Sequence, residues 1–272
     1  MSAPVHVIEP DEDLSGELVL SGALRSRVEG LASELRHVER FLRAGVDPPT
    51  RVLFSGPSGT GKTLAARWLG WRLRLPVVVA DVSAVVDKYI GESAKGIAAC
   101  FQAAKASKAI LFLDEIDAIC MRRDAADTGA GAELARATTT FFQQIDWMPP
   151  NRIVLAATNF PDELDPALRR RVPTEIVFEL PDRDARRRML EQWLSRSPLC
   201  AEQLDALADR TDGLSGAELR AKAMEQARRA IMAQPEPAPP RRGKLPDEVV
   251  KENKDRAQEL LRLLDGTTGG RA

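Results

Sequence analysis

Between Arg51 and Leu180, short apolar runs of strand length alternate with longer stretches of helical character, and that alternation constrains the fold more than any other feature of the chain. The runs are Arg51 to Ser55, Val77 to Ala80, Ala109 to Leu113, Ile153 to Ala157 and Ile176 to Leu180. Helical stretches at 62–74, 92–106, 133–145 and 165–171 lie between them. A strand that returns through a crossover helix lies parallel to its neighbour, and a parallel sheet is covered by helices on both faces. Its strands then read as unbroken Val, Ile and Leu, as these do. The pattern predicts an α/β fold with a parallel five-stranded sheet between helices.

The flanks differ. Residues 1–17 hold Glu9, Asp11, Glu12, Asp13 and Glu17 with no Lys or Arg, and read as an acidic flexible tail. Leu24, Val28, Leu31, Leu35, Val38 and Leu42 follow at alternating spacings of four and three, which puts one apolar stripe on a long helix ending at Gly45, before Pro48-Pro49. After Pro181-Asp182 the pattern is helical only, at 183–195, 201–209 and 215–233, which predicts a small all-helical domain. The expected division is a tail at 1–17, a large α/β domain at 18–181 and a helical lid at 182–233. A Pro-rich linker at 234–246 and a C-terminal helix and tail at 247–272, with the helix over 247–264, complete it.

Composition narrows the class. Lys plus Arg number 39 against 40 Asp plus Glu, a formal charge of -1, which lacks the basic excess of a protein held mainly by nucleic-acid phosphates. Cys100, Cys120 and Cys200 are odd in number and widely spaced, so neither a disulfide framework nor a cysteine zinc site is indicated. No apolar run approaches the roughly 18 residues that span a bilayer. The acidic start is the reverse of a secretory leader, so the default expectation is cytoplasmic.

The sharpest chemical signal is Gly56-Pro57-Ser58-Gly59-Thr60-Gly61-Lys62-Thr63, directly after one strand and before one helix. It matches G-x-x-x-x-G-K-[ST] in the context that motif requires. Glycines let the backbone wrap a phosphate, backbone N–H groups and the helix start supply partial positive charge, Lys62 reaches the β/γ-phosphates and Thr63 can ligate Mg²⁺. The second signal is the apolar run Ala109 to Leu113 ending in Asp114-Glu115. Acids there can simply cap the next helix. Beside a P-loop, Asp114 can instead hold the Mg²⁺ shell, through water, and Glu115 can orient and deprotonate an attacking water.

Together with Ile153 to Asn159, Pro161 to Arg171 and Thr211-Asp-Gly-Leu-Ser-Gly-Ala-Glu-Leu219, these motifs resemble, in their order, the AAA family of ring-forming ATPases over residues 18–232. The resemblance implies a P-loop NTPase fold, ATP and Mg²⁺ as nucleotide and cofactor, and a homo-oligomeric ring, most often a hexamer. It implies nucleotide contacts along Gly56 to Leu64 and at Asp114, and adenine contacts at Gly216 and Ala217, with Val19, Leu20 and Gly22 near the adenine-flanking turn. Asn159 takes the place of the sensor that contacts the γ-phosphate and the water. Arg170 and Arg171 fall in the arginine-finger region, two of the three arginines at 169–171 reaching the neighbouring subunit's site. The form Arg169-Arg-Arg-Val-Pro is similar to the microtubule-severing and membrane-remodelling branch. Lys88-Tyr89-Ile90-Gly91-Glu92-Ser93 resembles the first pore loop, with Tyr89 and Ile90 in the channel, and 125–131 would be the second. No His-Glu-x-x-His occurs, so no fused zinc protease is expected.

Two readings of function stand. One is a motor that threads or remodels an unidentified protein substrate through the ring. The other is an ATP-controlled assembly subunit that recruits a partner without threading. A DNA-directed role is disfavoured by the charge balance, although Arg186-Arg187-Arg188 and Arg241-Arg242 keep it open.

Overall fold

The computed structural model describes residues 5–10, 14, 16–88, 93–121, 129–233, 251 and 256, with side chains at all of these except 87, 88 and 129–133. Residues 1–228 make one compact unit, and 229–272 a second. Tyr89, Ile90, residues 125–128, the Pro-rich linker and, except at Lys251 and Arg256, the helix expected over 247–264 lie outside the described residues.

The five expected parallel strands are β2 (Arg51–Ser55), β3 (Val77–Asp81), β4 (Ile110–Asp114), β5 (Val154–Thr158) and β6 (Thr174–Val177), the last beginning two residues before the apolar run that announced it. A sixth strand, β1 (Val5–Ile8), comes from the segment expected to be a flexible tail. It pairs antiparallel with β3, Val5 opposite Ala80 and Ile8 opposite Val77, so the sheet is mixed, in the order β1-β3-β4-β5-β2-β6. The sequence Val-His-Val-Ile is short, and its neighbouring acids hide it. It covers the edge of β3, whose ladder groups would otherwise need another partner.

The unbroken apolar strands follow from burial on both faces. Leu53, Val78, Ala80, Leu111, Leu113, Val154 and Ala156 point to one side. There they pack under α5 (Ser93–Ser107) and α7 (Gly129–Asp146) through Ile97, Phe101, Ala137 and Phe141. Val52, Phe54, Val79, Ile110, Phe112 and Leu155 point to the other. There they meet α1 (Gly22–Arg36) and α3 (Lys62–Leu73) through Leu24, Val28, Leu31, Ala65 and Leu69. Phe54 and Phe112 are fully buried, and truncating either to alanine costs about 3–5 kcal/mol.

The long first helix is broken. His37 sits at φ -110°, ψ 20°, its N–H donates to Glu34 O at 2.9 Å, and α2 (Val38–Arg43) starts after it. The spacing of the apolar stripe does not register one non-helical residue at its midpoint. Two short helices the apolar pattern did not announce, α4 (Val82–Lys88) and α6 (Asp117–Cys120), follow β3 and β4. After α8 (Pro166–Arg171) and β6, the helices α9 (Arg183–Leu194), α10 (Ala201–Arg210) and α11 (Gly216–Met232) pack around Leu190, Leu194, Leu204, Ala208, Leu219 and Ala223.

Strand order decides where the chemistry gathers. β5 lies between β2 and β4, so the residues leaving the C-terminal ends of these three neighbours, Gly56, Asn159 and Asp114, meet along one edge. Ligands of open α/β sheets bind outside that edge.

Candidate active site

The turn after β2 is built on positive backbone angles. Gly56 has φ +134°, and a Cβ on it would lie 2.0 Å from Phe178 O; Gly59 has φ +76°, and its Cβ would lie 2.9 Å from both Ala217 Cβ and Ser215 Oγ. Side chains at these positions would collide with β6's extension and with the start of α11, which is why the loop can close tightly only with glycine. Thr60 Oγ1 donates to Pro57 O at 2.8 Å and braces it.

Lys62 is 6% exposed, and its ammonium is fully employed: Nζ donates to Gly56 O at 2.7 Å, Pro57 O at 2.9 Å and Asn159 Oδ1 at 2.8 Å. Burial pushes its pKa below the ordinary lysine value, while Asp114 and Asp117 pull it back up. Thr63 Oγ1 donates to Asp114 Oδ2 at 2.8 Å. A hydroxyl and a carboxylate side by side are the hard oxygen donors that suit Mg²⁺, and the glycine cradle beside them leaves room for phosphates.

Glu115 adopts φ 55°, a left-handed conformation that costs a non-glycine residue roughly 1–2 kcal/mol. The neighbouring bonds Glu115 N to Asp114 Oδ1 at 3.1 Å and Ile116 N to Ala157 O at 3.0 Å hold that bend. Loss of hydration and then the charges of Asp81, Asp114 and Asp117 raise its pKa above that of an ordinary glutamate. Asp117, two residues on, accepts from Thr158 Oγ1 at 2.8 Å and fastens the end of β5, which Asn159 directly follows.

The helical part closes the other side. Ala217 N donates to Gly59 O at 3.2 Å, and Ser215 with Glu218 forms a capping box at the start of α11, Ser215 N donating to Glu218 Oε2 at 2.9 Å and Glu218 N to Ser215 Oγ at 3.4 Å. A cavity of about 160 Å³ opens there, lined among others by Val19, Leu64, Gly216, Ala217, Met189 and Trp193. The last two were not expected from the sequence; their spacing of four places them one turn apart on one face of α9. Arg220 lies 5.9 Å from the centre of the Trp193 ring. Leu20, near the expected adenine-flanking turn, is tied to α9 by Arg188 Nη2, 2.8 Å from its carbonyl oxygen.

The three arginines of α8 separate. Arg169 Nη1 pairs with Glu175 Oε2 at 2.8 Å and its Nη2 donates to Pro161 O at 2.7 Å. Arg171 Nε donates to Asp146 Oδ1 at 2.9 Å and its guanidinium lies 4.8 Å over the Phe142 ring. Arg170 is exposed and meets no described partner. The basic run on α9 is spent internally. Arg186, 4% exposed, pairs with Asp212 at 2.9 Å and donates to Pro181 O and Ala208 O; Arg187 Nε pairs with Asp205 at 2.8 Å. With Arg188 held by Leu20, this run is not the open basic surface that a DNA-directed role needs.

Residues 52–180 match the model of the ATPase family associated with various cellular activities (AAA). They form an AAA domain. The curated relatives include the proteasome-activating nucleotidase of Pyrococcus horikoshii, 39% identical over 217 residues, which cover 78% of this chain and 54% of that protein. They also include the ATP-dependent zinc metalloprotease FtsH 3 of Sphaerobacter thermophilus, 42% identical over 236 residues, covering 85% of this chain and 48% of that one. The chain thus spans about half the length of these relatives. Among solved structures, the AAA domain of FIGL-1 in complex with ADP superposes with a TM-score of 0.71 at 27% identity, over 85% of this chain and 77% of that one. Among the described residues no helix is long and apolar enough to cross a membrane.

Proposed function

We propose that this chain hydrolyses ATP with Mg²⁺ as a subunit of a homo-oligomeric ring, a hexamer, and remodels or threads a protein substrate through the central pore. The observation that carries the reading is the convergence of Lys62, Asn159, Thr63 and Asp114, within 2.8 Å of one another in pairs, beside a glycine cradle at the ends of adjacent strands. In this reading residues 18–181 are the large ATPase lobe and 182–233 the lid.

Gly56 to Leu64 bind the phosphates, Thr63 and Asp114 hold Mg²⁺, with Asp114 acting through water, and Gly216 and Ala217 flank the adenine. Mg²⁺ supplies neutralisation of phosphate charge. Glu115 takes a proton from the water that attacks the γ-phosphorus, its raised pKa making it a stronger base than an ordinary carboxylate. Water's oxygen bonds to phosphorus, the bond to the β-phosphate oxygen breaks, and ADP and phosphate leave. Asn159 orients that water, since its amide both donates and accepts. Of Arg170 and Arg171, Arg170 is the finger that acts on the neighbouring subunit's nucleotide, since it has no partner among the described residues while Arg171 is held by Asp146. Tyr89 and Ile90 grip the polypeptide in the pore. The likeness to the FIGL-1 AAA domain supports placing the chain with the severing and membrane-remodelling type.

Glu115→Gln tests the core of this: the variant should bind ATP as the parent does and lose turnover by at least about 10²-fold. Normal hydrolysis by that variant removes the base assignment. Tyr89→Ala should retain ATPase and lose substrate processing. Full partner activation by that variant would favour the assembly-subunit reading.

A further inference from the structure

Glu175 occupies a position no phosphate-binding motif reaches, yet both its carboxylate oxygens are committed. Ser55, 1% exposed and the last residue before the P-loop, donates Oγ to Glu175 Oε1 at 2.6 Å. Arg169 Nη1 donates to Glu175 Oε2 at 2.8 Å. The Glu175 backbone is held from outside, Arg27 Nη2 lying 2.6 Å from its carbonyl oxygen. Because different partners hold the two oxygens, the carboxylate cannot turn without releasing one of them.

These bonds belong to a closed circuit. Arg169 Nη2 donates to Pro161 O at 2.7 Å, two residues beyond Asn159. Asn159 Oδ1 accepts from Lys62 Nζ at 2.8 Å, and Lys62 Nζ also donates to Gly56 O at 2.7 Å, the residue after Ser55. The path runs Ser55, Glu175, Arg169, Pro161, Asn159, Lys62, Gly56 and back to Ser55. Arg169 precedes Arg170 on α8, a short helix capped by Asp165, whose Oδ1 accepts from Ala167 N at 2.7 Å.

We propose that Glu175 is a positioning residue that links a subunit's own P-loop to the presentation of Arg170 to the next subunit's nucleotide. This rests on reading Arg170 as the trans-acting finger. A phosphate at the P-loop draws Lys62 away from Gly56 O and Asn159, because the ammonium of this motif reaches the β/γ-phosphates. Gly56 and the 159–161 segment then shift together with their partners. Glu175 and Arg169 carry that change to α8, so the state of one site sets the aim of the guanidinium serving the next.

The test uses the full chain in its assembled form and compares Glu175→Gln, Ser55→Ala and Arg170→Ala. Glu175→Gln turns an amide N–H₂ or a neutral oxygen toward Arg169, and Ser55→Ala removes the other leg. Each should leave the dissociation constant for a fluorescent ATP analogue within about twofold and lower kcat by about tenfold, the scale expected when a reacting group is displaced by a fraction of an ångström. Each should also flatten the dependence of rate on ATP concentration toward a simple hyperbola. Arg169→Glu combined with Glu175→Arg restores the ion pair and should recover part of kcat. Unchanged kcat in both Glu175→Gln and Ser55→Ala, with Arg170→Ala inactive, overturns the proposal alone. Full turnover by Arg170→Ala overturns the finger reading and this proposal with it. A loss of nucleotide affinity matching the loss of kcat also overturns it, since that is damage to the P-loop itself.

Discussion

Two arginine triplets, at 169–171 on α8 and 186–188 on α9, have the same composition and opposite uses. On α9 the three guanidinium groups turn to partners within the fold: Arg186 to Asp212, Pro181 O and Ala208 O, Arg187 to Asp205, and Arg188 to Leu20 O. On α8 the outer two are tied, Arg169 to Glu175 and Arg171 to Asp146, while Arg170 is left exposed between them. A run of like charges therefore does not announce whether it is a surface, a brace or a reactive group. Residues brought in from elsewhere in the chain, Asp205 and Asp212 in one case and Asp146 and Glu175 in the other, decide it. With Arg169 and Arg171 tied to the fold, the short helix that carries Arg170 is anchored on both sides, while the Arg170 guanidinium itself stays free to meet another group.

The largest effect that would break this contrast concerns Arg170. Arg170→Ala should lower kcat of the assembled protein by about 10³-fold, the usual scale for a trans-acting arginine, with an unchanged thermal melt. If turnover survives, the two triplets are both structural and the contrast disappears. Next comes Arg186→Ala, which should leave two backbone carbonyls without their donor and destabilise the fold by about 2 kcal/mol. Thermal unfolding reads this directly, as a drop in Tm of roughly 4–8 °C for a chain of this size. An unchanged Tm would mean that the buried guanidinium is replaceable by water. Smallest is Arg171→Ala. Its pair with Asp146 is partly exposed, at 31% and 48%, so the loss should be about 0.5–1 kcal/mol, including the contact with Phe142. Denaturant titration at low and high salt separates the ionic share, which shrinks as salt is added.

Much of the α/β body was legible because its signals are local. The five apolar runs appear as β2 to β6, and the motif from Gly56 to Thr63 runs from the end of β2 into the first turn of α3 as its spacing required. The acid at 114 ends β4, and Asn159 directly follows β5. What escaped the sequence depended on partners far along the chain. Val5 to Ile8 become a strand only because the edge of β3 is available to pair with, and their few residues carry no periodicity of their own. His37 interrupts a stripe whose apolar spacing continues unbroken across it. Met189 and Trp193 line the cavity beside the P-loop because α9 folds back against residues more than a hundred positions earlier. Glu175, in an ordinary strand, had no signal at all.

The sequence on its own settled the five parallel strands, the main helices between and after them, and which residue types stand at their ends. Those follow from apolar periodicity, glycine at positions of positive φ and the chemistry of a lysine and a hydroxyl at a helix start, all of them short-range. Tertiary structure alone decided which ends become neighbours. The order β4-β5-β2 brings Asn159 within hydrogen-bonding reach of Lys62 and Asp114 within reach of Thr63, and the packing of β6 beside β2 gives Ser55 a carboxylate and Arg169 its partner. Hydrogen bonds and ion pairs act over a few ångströms, so which charges are spent and which stay free is settled only once the chain has brought distant residues together.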